Sequence, residues 1–178
     1  KTPVMDQLVR DESILLERHY TYQTCSPTRR SFLSGRFPPH SGESNDAKST
    51  VAYRMTAIAE RLRAQGYATA QLGKWHAGHF STKQIPGNRG FDVSLGYFNG
   101  AETHWTQQAT EDCGYNVTDL WDTDGPSLVN GTSFGDMHFV GRAVEFIKTT
   151  TKPLFCYLAL QVAHAPVEAP DRFVDDSA

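Results

Sequence analysis

The chain predicts an α/β layered fold, and two helix–strand pairs carry that prediction. Met55, Ile58, Ala59 and Leu62 recur at helical spacing, Gly66 ends the helix, and Tyr67 to Leu72 follows as a short strand. Val140, Ala143, Val144 and Ile147 repeat the helical pattern ahead of Leu154 to Leu160, a nearly continuous apolar run. Such a run fits a strand buried on both faces of a parallel sheet. Helices alternating with strands of this kind place helical layers against the sheet.

The remaining elements follow in order. Thr2-Pro3 opens a short helix through about Arg10, with Val4, Met5, Leu8 and Val9 on its buried side. Ile14 to Tyr22 reads as a strand leading into a turn at Cys25. Thr24 or Ser26 can cap the next helix, and Pro27 suits its first turn because a missing N–H there leaves nothing unpaired. That helix runs through Arg29, Arg30, Phe32 and Leu33 to Gly35, a natural terminating glycine. Phe37 to Thr50 is rich in Pro, Gly and Ser and is predicted as loop. Gly73 to Ser133 is too long for a structureless loop, so short elements must lie within it. The helix over Val140 to Ile147 starts near Ser133 or Asp136. No internal repeat or interdomain linker is visible.

At 178 residues the chain can bury a sizeable core. It begins at Lys1 with neither a methionine nor a signal peptide, and it is expected to be a piece of a longer protein. Seventeen basic against twenty acidic residues give a net charge of −3, which makes no case for nucleic acid or an anionic membrane as partner. The longest apolar run is too short to span a bilayer. Three cysteines do not make a disulfide framework. Cys156 falls in an apolar strand pattern as a core thiol, and Cys113 sits in a polar loop. Two N-x-[ST] sequons, at Asn116 and Asn130, share one polar region, which favours surface glycosylation and passage through the secretory pathway to a lysosome or the exterior.

The chemistry concentrates at Cys25-Ser26-Pro27-Thr28-Arg29. Cys25 stands at a helix N-terminus, where free N–H groups and the dipole favour an anion. Arg29, one turn on, adds a fixed cation whose forked donors suit a tetrahedral oxyanion. A buried structural cysteine is the plain alternative. A cysteine-dependent phosphatase loop needs five residues between Cys and Arg; three separate Cys25 from Arg29 and four separate it from Arg30. Lys74 and His76 follow a strand and a glycine, so they should emerge at the sheet's C-terminal edge, where open α/β sheets bind ligands. Their alternate positions let both face one cleft, although a solvated lysine and a surface histidine would have the same spacing. His164 leaves the sheet edge after the second apolar strand. His79, His104 and His138 are expected to be structural or exposed, and Arg89-Gly90-Phe91-Asp92 to be a turn without chemistry.

C-x-P-x-R, then G-Y-x-T-x-x-x-G-K-W-H, then an apolar strand followed by A-H-A-P, resembles the type I sulfatases in order and spacing over nearly the whole chain. Gly73-Lys74-Trp75-His76 and Leu158 to His164 look most like the arylsulfatase B group, the N-acetylgalactosamine-4-sulfatases. Gln23 and Ser34 are less usual at their places in the family pattern. The resemblance implies an alkaline-phosphatase-like fold, a mixed and mostly parallel sheet between helical layers. Residues 1–178 would be part of an N-terminal sulfatase catalytic domain, incomplete at both ends. It further implies sulfate ester hydrolysis, in which Cys25 is oxidised to formylglycine by a formylglycine-generating enzyme and Arg29 supports its hydrate. Lys74 and His76 match sulfate-binding and hydrate-orienting positions, and His164 matches the histidine beside the ester oxygen. One calcium ion is implied as cofactor, contacted by formylglycine 25, with its Asp-Asp and Asp-Asn ligands outside this chain; Asp175-Asp176 matches neither pair. Sulfated small molecules or sugars are the implied substrates. A phosphoesterase or phosphonate hydrolase of the same superfamily, and a catalytically silent secreted protein on the same scaffold, are the competing classes.

Overall fold

The computed structural model describes residues 2–46, 49–110, 114–127, 129, 131 and 133–174. In chain order the helices are α1 (Pro3–Asp11), α2 (Cys25–Ser34), α3 (Pro38–Ser41), α4 (Ile58–Ala64) and α5 (Gly135–Thr149). The strands are β1 (Ala68–Gly73), β2 (Val93–Gly96), β3 (Gln108–Thr110), β4 (Asn116–Thr118), β5 (Trp121–Asp122), β6 (Gly125–Pro126) and β7 (Leu154–Ala159). Short 3-10 turns at Thr82–Gln84, Pro86–Arg89 and Asp171–Phe173 complete it. As expected, the long middle segment holds several short elements.

The main sheet has the order β6-β5-β2-β1-β7, and β3 pairs separately with β4. β1 lies parallel to both neighbours, with Ala70 opposite Val93 on β2 and Cys156 on β7. β5 and β6 add an antiparallel edge. The result is the mixed, mostly parallel α/β sheet the sequence predicts.

A core lies on each side of the sheet. On one, Phe139, Ala143 and Phe146 of α5 pack against Ala70, Leu72, Leu95 and Tyr97. On the other, Leu33 of α2 and Ala59 of α4 close over Trp75 and Phe91, with Phe155 and Tyr157 of β7 alongside. Where the three parallel strands end, their backbones nearly touch. A Cβ on Gly96 would lie 1.9 Å from the Gly73 carbonyl oxygen, and one on Gly73, at φ +89°, would lie 2.2 Å from that of Ala159. Only glycine fits these two positions. The glycine ahead of Lys74 is therefore dictated by the sheet's geometry.

The structure corrects four expectations. No residue of α1 is buried, so the Val4, Met5, Leu8 and Val9 stripe has nothing to cover it among the described residues. Residues 14–22 form no strand, and Ile14, Leu15, Leu16 and Tyr20 are exposed. A strand needs a neighbour for its N–H and C=O groups, and no described strand lies beside this segment. On α5 the buried stripe is Asp136, Phe139, Ala143 and Phe146, while Val140, Val144 and Ile147 stay partly exposed. Both stripes have helical period, and the bulkier phenylalanines take the core. β7 is a sheet edge, not a strand buried on both faces, and its Leu154 and Leu158 are exposed.

Candidate active site

α2 begins at Cys25 because Thr24 is extended, at φ −132° and ψ 164°, and ends where Gly35 turns left-handed at φ 65°. Neither Thr24 nor Ser26 caps it with its side chain. Asn45 does so from 19 residues away, its Oδ1 accepting the Ser26 N–H at 2.9 Å. The Ser26 hydroxyl instead accepts from Arg30 at 2.7 Å. Arg30 is fully buried and also donates to the carbonyls of Gly42 and Ser44, both at 2.7 Å. The segment predicted as loop thus contains the short α3 and is tied down where Asn45 meets α2.

Arg29 points toward the end of β1. Its Nη1 donates to the Lys74 carbonyl at 2.6 Å and to the Tyr157 hydroxyl at 3.2 Å. Tyr157 in turn stacks on Phe32 of α2, with ring centroids 5.2 Å apart. Lys74, Trp75 and His76 carry β1 onward between its neighbours. Their N–H groups donate to the carbonyls of Ala159 (2.9 Å), Tyr97 (2.9 Å) and Phe98 (3.2 Å). Trp75 is core, and its indole N–H caps the Gly78 carbonyl at 2.9 Å.

Lys74 is almost completely buried, as is His76. Burial pulls Lys74 below the ordinary lysine value; Cys25, hydrogen-bonded to it, pushes the other way, and Arg29 adds to the lowering. His76 is held at about 4, first by burial and then by the charges of Lys74, Arg29 and Arg30, against a hydrogen bond with the Asn45 backbone. It is therefore a neutral imidazole at neutral and mildly acid pH. Its Nδ1 has no protein partner among the described residues.

Beyond β7 the chain turns at Gln161, whose carbonyl accepts the His164 N–H at 2.9 Å. His164 is exposed, and its Nδ1 lies 2.8 Å from the Ala165 carbonyl oxygen. A cavity of about 980 Å³ is lined by Cys25, Arg29, Lys74, Tyr157 and His164, among others. Four of the five residues singled out from the sequence thus share one cavity. His76 does not line it. At φ +45° its backbone turns away from simple strand alternation, and its ring is buried against Gly100.

No three His, Cys, Asp or Glu side chains among the described residues could hold a metal. The cavity wall offers cations and a thiol, whereas calcium needs about six to eight oxygen ligands. The residues present do not fit a calcium site. Cys156 is a half-buried free thiol packed against the core, its pKa raised by burial. Asn116 lies on exposed β4. Asn130, Cys113 and Asp175-Asp176 lie outside the described residues. Arg89 is structural, donating to the Met55 carbonyl at 2.6 Å. His104 is structural as well, fully buried and stacked on Phe134 at 4.8 Å.

Tyr157 and Asn45 escaped the sequence reading. A tyrosine inside an otherwise apolar run was the available signal for Tyr157, because its hydroxyl must find a partner when buried. Nothing in the local pattern marks Asn45.

Solved structures share this fold. One, from work on glycosaminoglycan metabolism by Bacteroides thetaiotaomicron, superposes with a TM-score of 0.74 at 24% identity, covering 95% of this chain and 38% of its own. A sulfatase from Pseudoalteromonas gives a TM-score of 0.61 at 21% identity, covering 87% of this chain and 37% of its own. The fold is that of the sulfatases. The Sulfatase family model matches residues 1–178, and the chain belongs to that family. Among curated relatives, mouse Arylsulfatase J is 30% identical over 98% of this chain and 30% of its own length. Pig N-acetylgalactosamine-6-sulfatase is 28% identical over 99% of this chain and 38% of its own. The chain spans about a third of the length of the curated relatives it matches.

Proposed function

We propose that the whole protein hydrolyses sulfate esters, as an arylsulfatase-type enzyme, through a formylglycine made from Cys25. The observation that carries this reading is the cavity in which Cys25, Arg29, Lys74 and His164 meet from three well-separated stretches of chain. Cys25 is partly exposed to that cavity at the start of α2, so an aldehyde there would be open to water and substrate. Its hydrate would supply one hydroxyl to attack sulfur, displacing the alcohol, and a second whose deprotonation would expel sulfate and restore the aldehyde.

The chain's own residues do the rest. Lys74 sits beside residue 25 and offers a buried ammonium to the sulfuryl oxygens, where a preorganised charge is worth far more than in water. Arg29 fixes Lys74 through its backbone carbonyl and adds positive potential. His76, kept neutral and buried, adds no positive charge to compete with Lys74, and its Nδ1 has no partner among the described residues. His164 donates a proton to the departing ester oxygen, a role its imidazole can fill from the cavity wall. Its Nδ1–H rests on the Ala165 carbonyl, which leaves Nε2 to carry that proton.

Sulfated amino sugars are the substrate class we favour. The relative named N-acetylgalactosamine-6-sulfatase supports it. A cavity of about 980 Å³ has room for a sugar beyond the sulfate. A calcium ion in the whole protein would take its carboxylates from outside these residues. Maturation would need a formylglycine-generating enzyme, and the sequons at Asn116 and Asn130 support a lysosomal or secreted protein. No described helix is long and apolar enough to cross a membrane. Peptide mass spectrometry on protein from cells with an active converting enzyme tests the reading. The aldehyde or its hydrate is expected at position 25, and unmodified thiol alone would refute it.

A further inference from the structure

The loop that carries His164 is held by a clamp, and its centre is a carboxylate that does not itself line the cavity. Asp136 lies in the first turn of α5 and is 4% exposed. Its Oδ1 accepts the Gln161 N–H at 2.8 Å and its Oδ2 the Val162 N–H at 3.0 Å. Gln161, itself 1% exposed, is also fixed through its side chain, whose Nε2 donates to the Glu102 carbonyl. The Gln161 carbonyl then receives the His164 N–H. The path from α5 to the histidine is two hydrogen bonds long.

We propose that Asp136 is a positioning residue for His164, setting the angle at which the loop leaves β7 and so the place of the imidazole in the cavity. This rests on the reading of His164 as the leaving-group acid. A buried carboxylate taking two consecutive backbone N–H groups holds both firmly, because a charged acceptor makes bonds roughly twice as strong as a neutral one. The bonded peptide has little freedom to rotate. Catalytic geometry is sensitive on this scale, and a misplacement of about 1 Å can cost about 100-fold. No other described side chain bonds the two amides that precede His164 by two and three residues. His104 adds only a long contact, its Nε2 lying 3.5 Å from the His164 carbonyl oxygen.

The test is a leaving-group series of sulfate esters turned over by the full-length protein and its Asp136→Asn, His164→Ala and doubly substituted forms. Asp136→Asn keeps the shape but sets an NH₂ against an N–H, so one of the two bonds is lost. It should slow esters of high-pKa alcohols by roughly 10- to 100-fold and activated aryl sulfates far less, reproducing the signature of His164→Ala. In the His164→Ala background the same substitution should cost almost nothing, because coupled residues are not additive. Uniform slowing over the series, or the same cost with and without His164, would mark Asp136 as merely structural and overturn the proposal. If His164→Ala itself leaves the slope unchanged, the acid assignment falls and takes this proposal with it, which is a different and recognisable result. Should Asp136→Asn not fold, Asp136→Glu, which keeps the charge but moves the carboxylate by one methylene against the Gln161 and Val162 amides, decides by the same two readouts.

Discussion

Glu102 makes the fold's stability depend on pH, and Glu102→Gln should remove that dependence. Its side chain is 1% exposed, and neither carboxylate oxygen has a partner among the described residues. Burial, with Asp119 and Asp136 nearby, raises it from 4.5 to about 9. The folded chain therefore holds the proton between those values while the unfolded chain does not. Stability is full below about pH 4.5 and falls as pH rises toward 9, by about 1.4 kcal/mol per pH unit. His76 works in the opposite sense, but only between about 4 and 6.5, where the unfolded histidine is protonated and the folded one is not. From pH 6.5 to 8 Glu102 acts without it, and about 2 kcal/mol should be lost. Glutamine mimics the protonated acid, so the variant should be more stable than wild type at pH 8 and converge on it at lower pH. Urea unfolding of both forms at pH 6.5 and 8 measures this directly. Equal losses in the two proteins would show that Glu102 is not protonated in the folded state, and the account of its burial would be wrong.

Three further outcomes follow from the same geometry. Lys74→Ala should slow every sulfate ester by roughly 100-fold or more regardless of leaving group, as loss of an oxyanion donor does; a slope that steepens with leaving-group pKa would move Lys74 to the acid's role. Gly96→Ala should lower unfolding stability by about 3 kcal/mol, because its methyl would meet the Gly73 carbonyl oxygen at 1.9 Å and strand backbone cannot step aside; an unfolding midpoint equal to wild type would contradict the close approach. Secreted protein should lose mass on enzymatic deglycosylation, and Asn116→Gln should remove at least part of that loss, whereas mobility unchanged by deglycosylation would undercut the secretory assignment.

Legibility in the sequence followed the range of the forces involved. α2 could be placed to within a residue because Pro27 and Gly35 are local signals that act on their own turns. β1, β7 and α5 were legible from periodicity, which burial imposes on every few residues. Asn45 as the cap of α2 was not, since its bond to Ser26 depends on how the 42–46 segment folds back over Arg30. The Ile14 to Tyr22 segment has the composition of a strand but no neighbour to pair with, and pairing is a property of the sheet. The choice between two helical stripes on α5 turned on which side chains fill the space beneath, with Phe139 and Phe146 taking the places expected for Val140 and Ile147. At the site, residue types and spacing named Cys25, Arg29, Lys74 and His164, and the cavity brings them together. Tyr157 was signalled only by a hydroxyl inside an apolar run, and the bonds of Asp136 to the Gln161 and Val162 amides became visible only through their contacts.

The central claim is that sulfate ester hydrolysis runs through residue 25. It is tested most directly by turnover of an aryl sulfate by the full-length protein, matured in cells with an active converting enzyme, beside its Cys25→Ala form. Wild type should release sulfate, and Cys25→Ala should release none above background, because no neighbouring side chain offers a geminal hydroxyl pair. Turnover that survives the substitution, or a wild type that cleaves the matching phosphate monoester faster than the sulfate, would contradict the account.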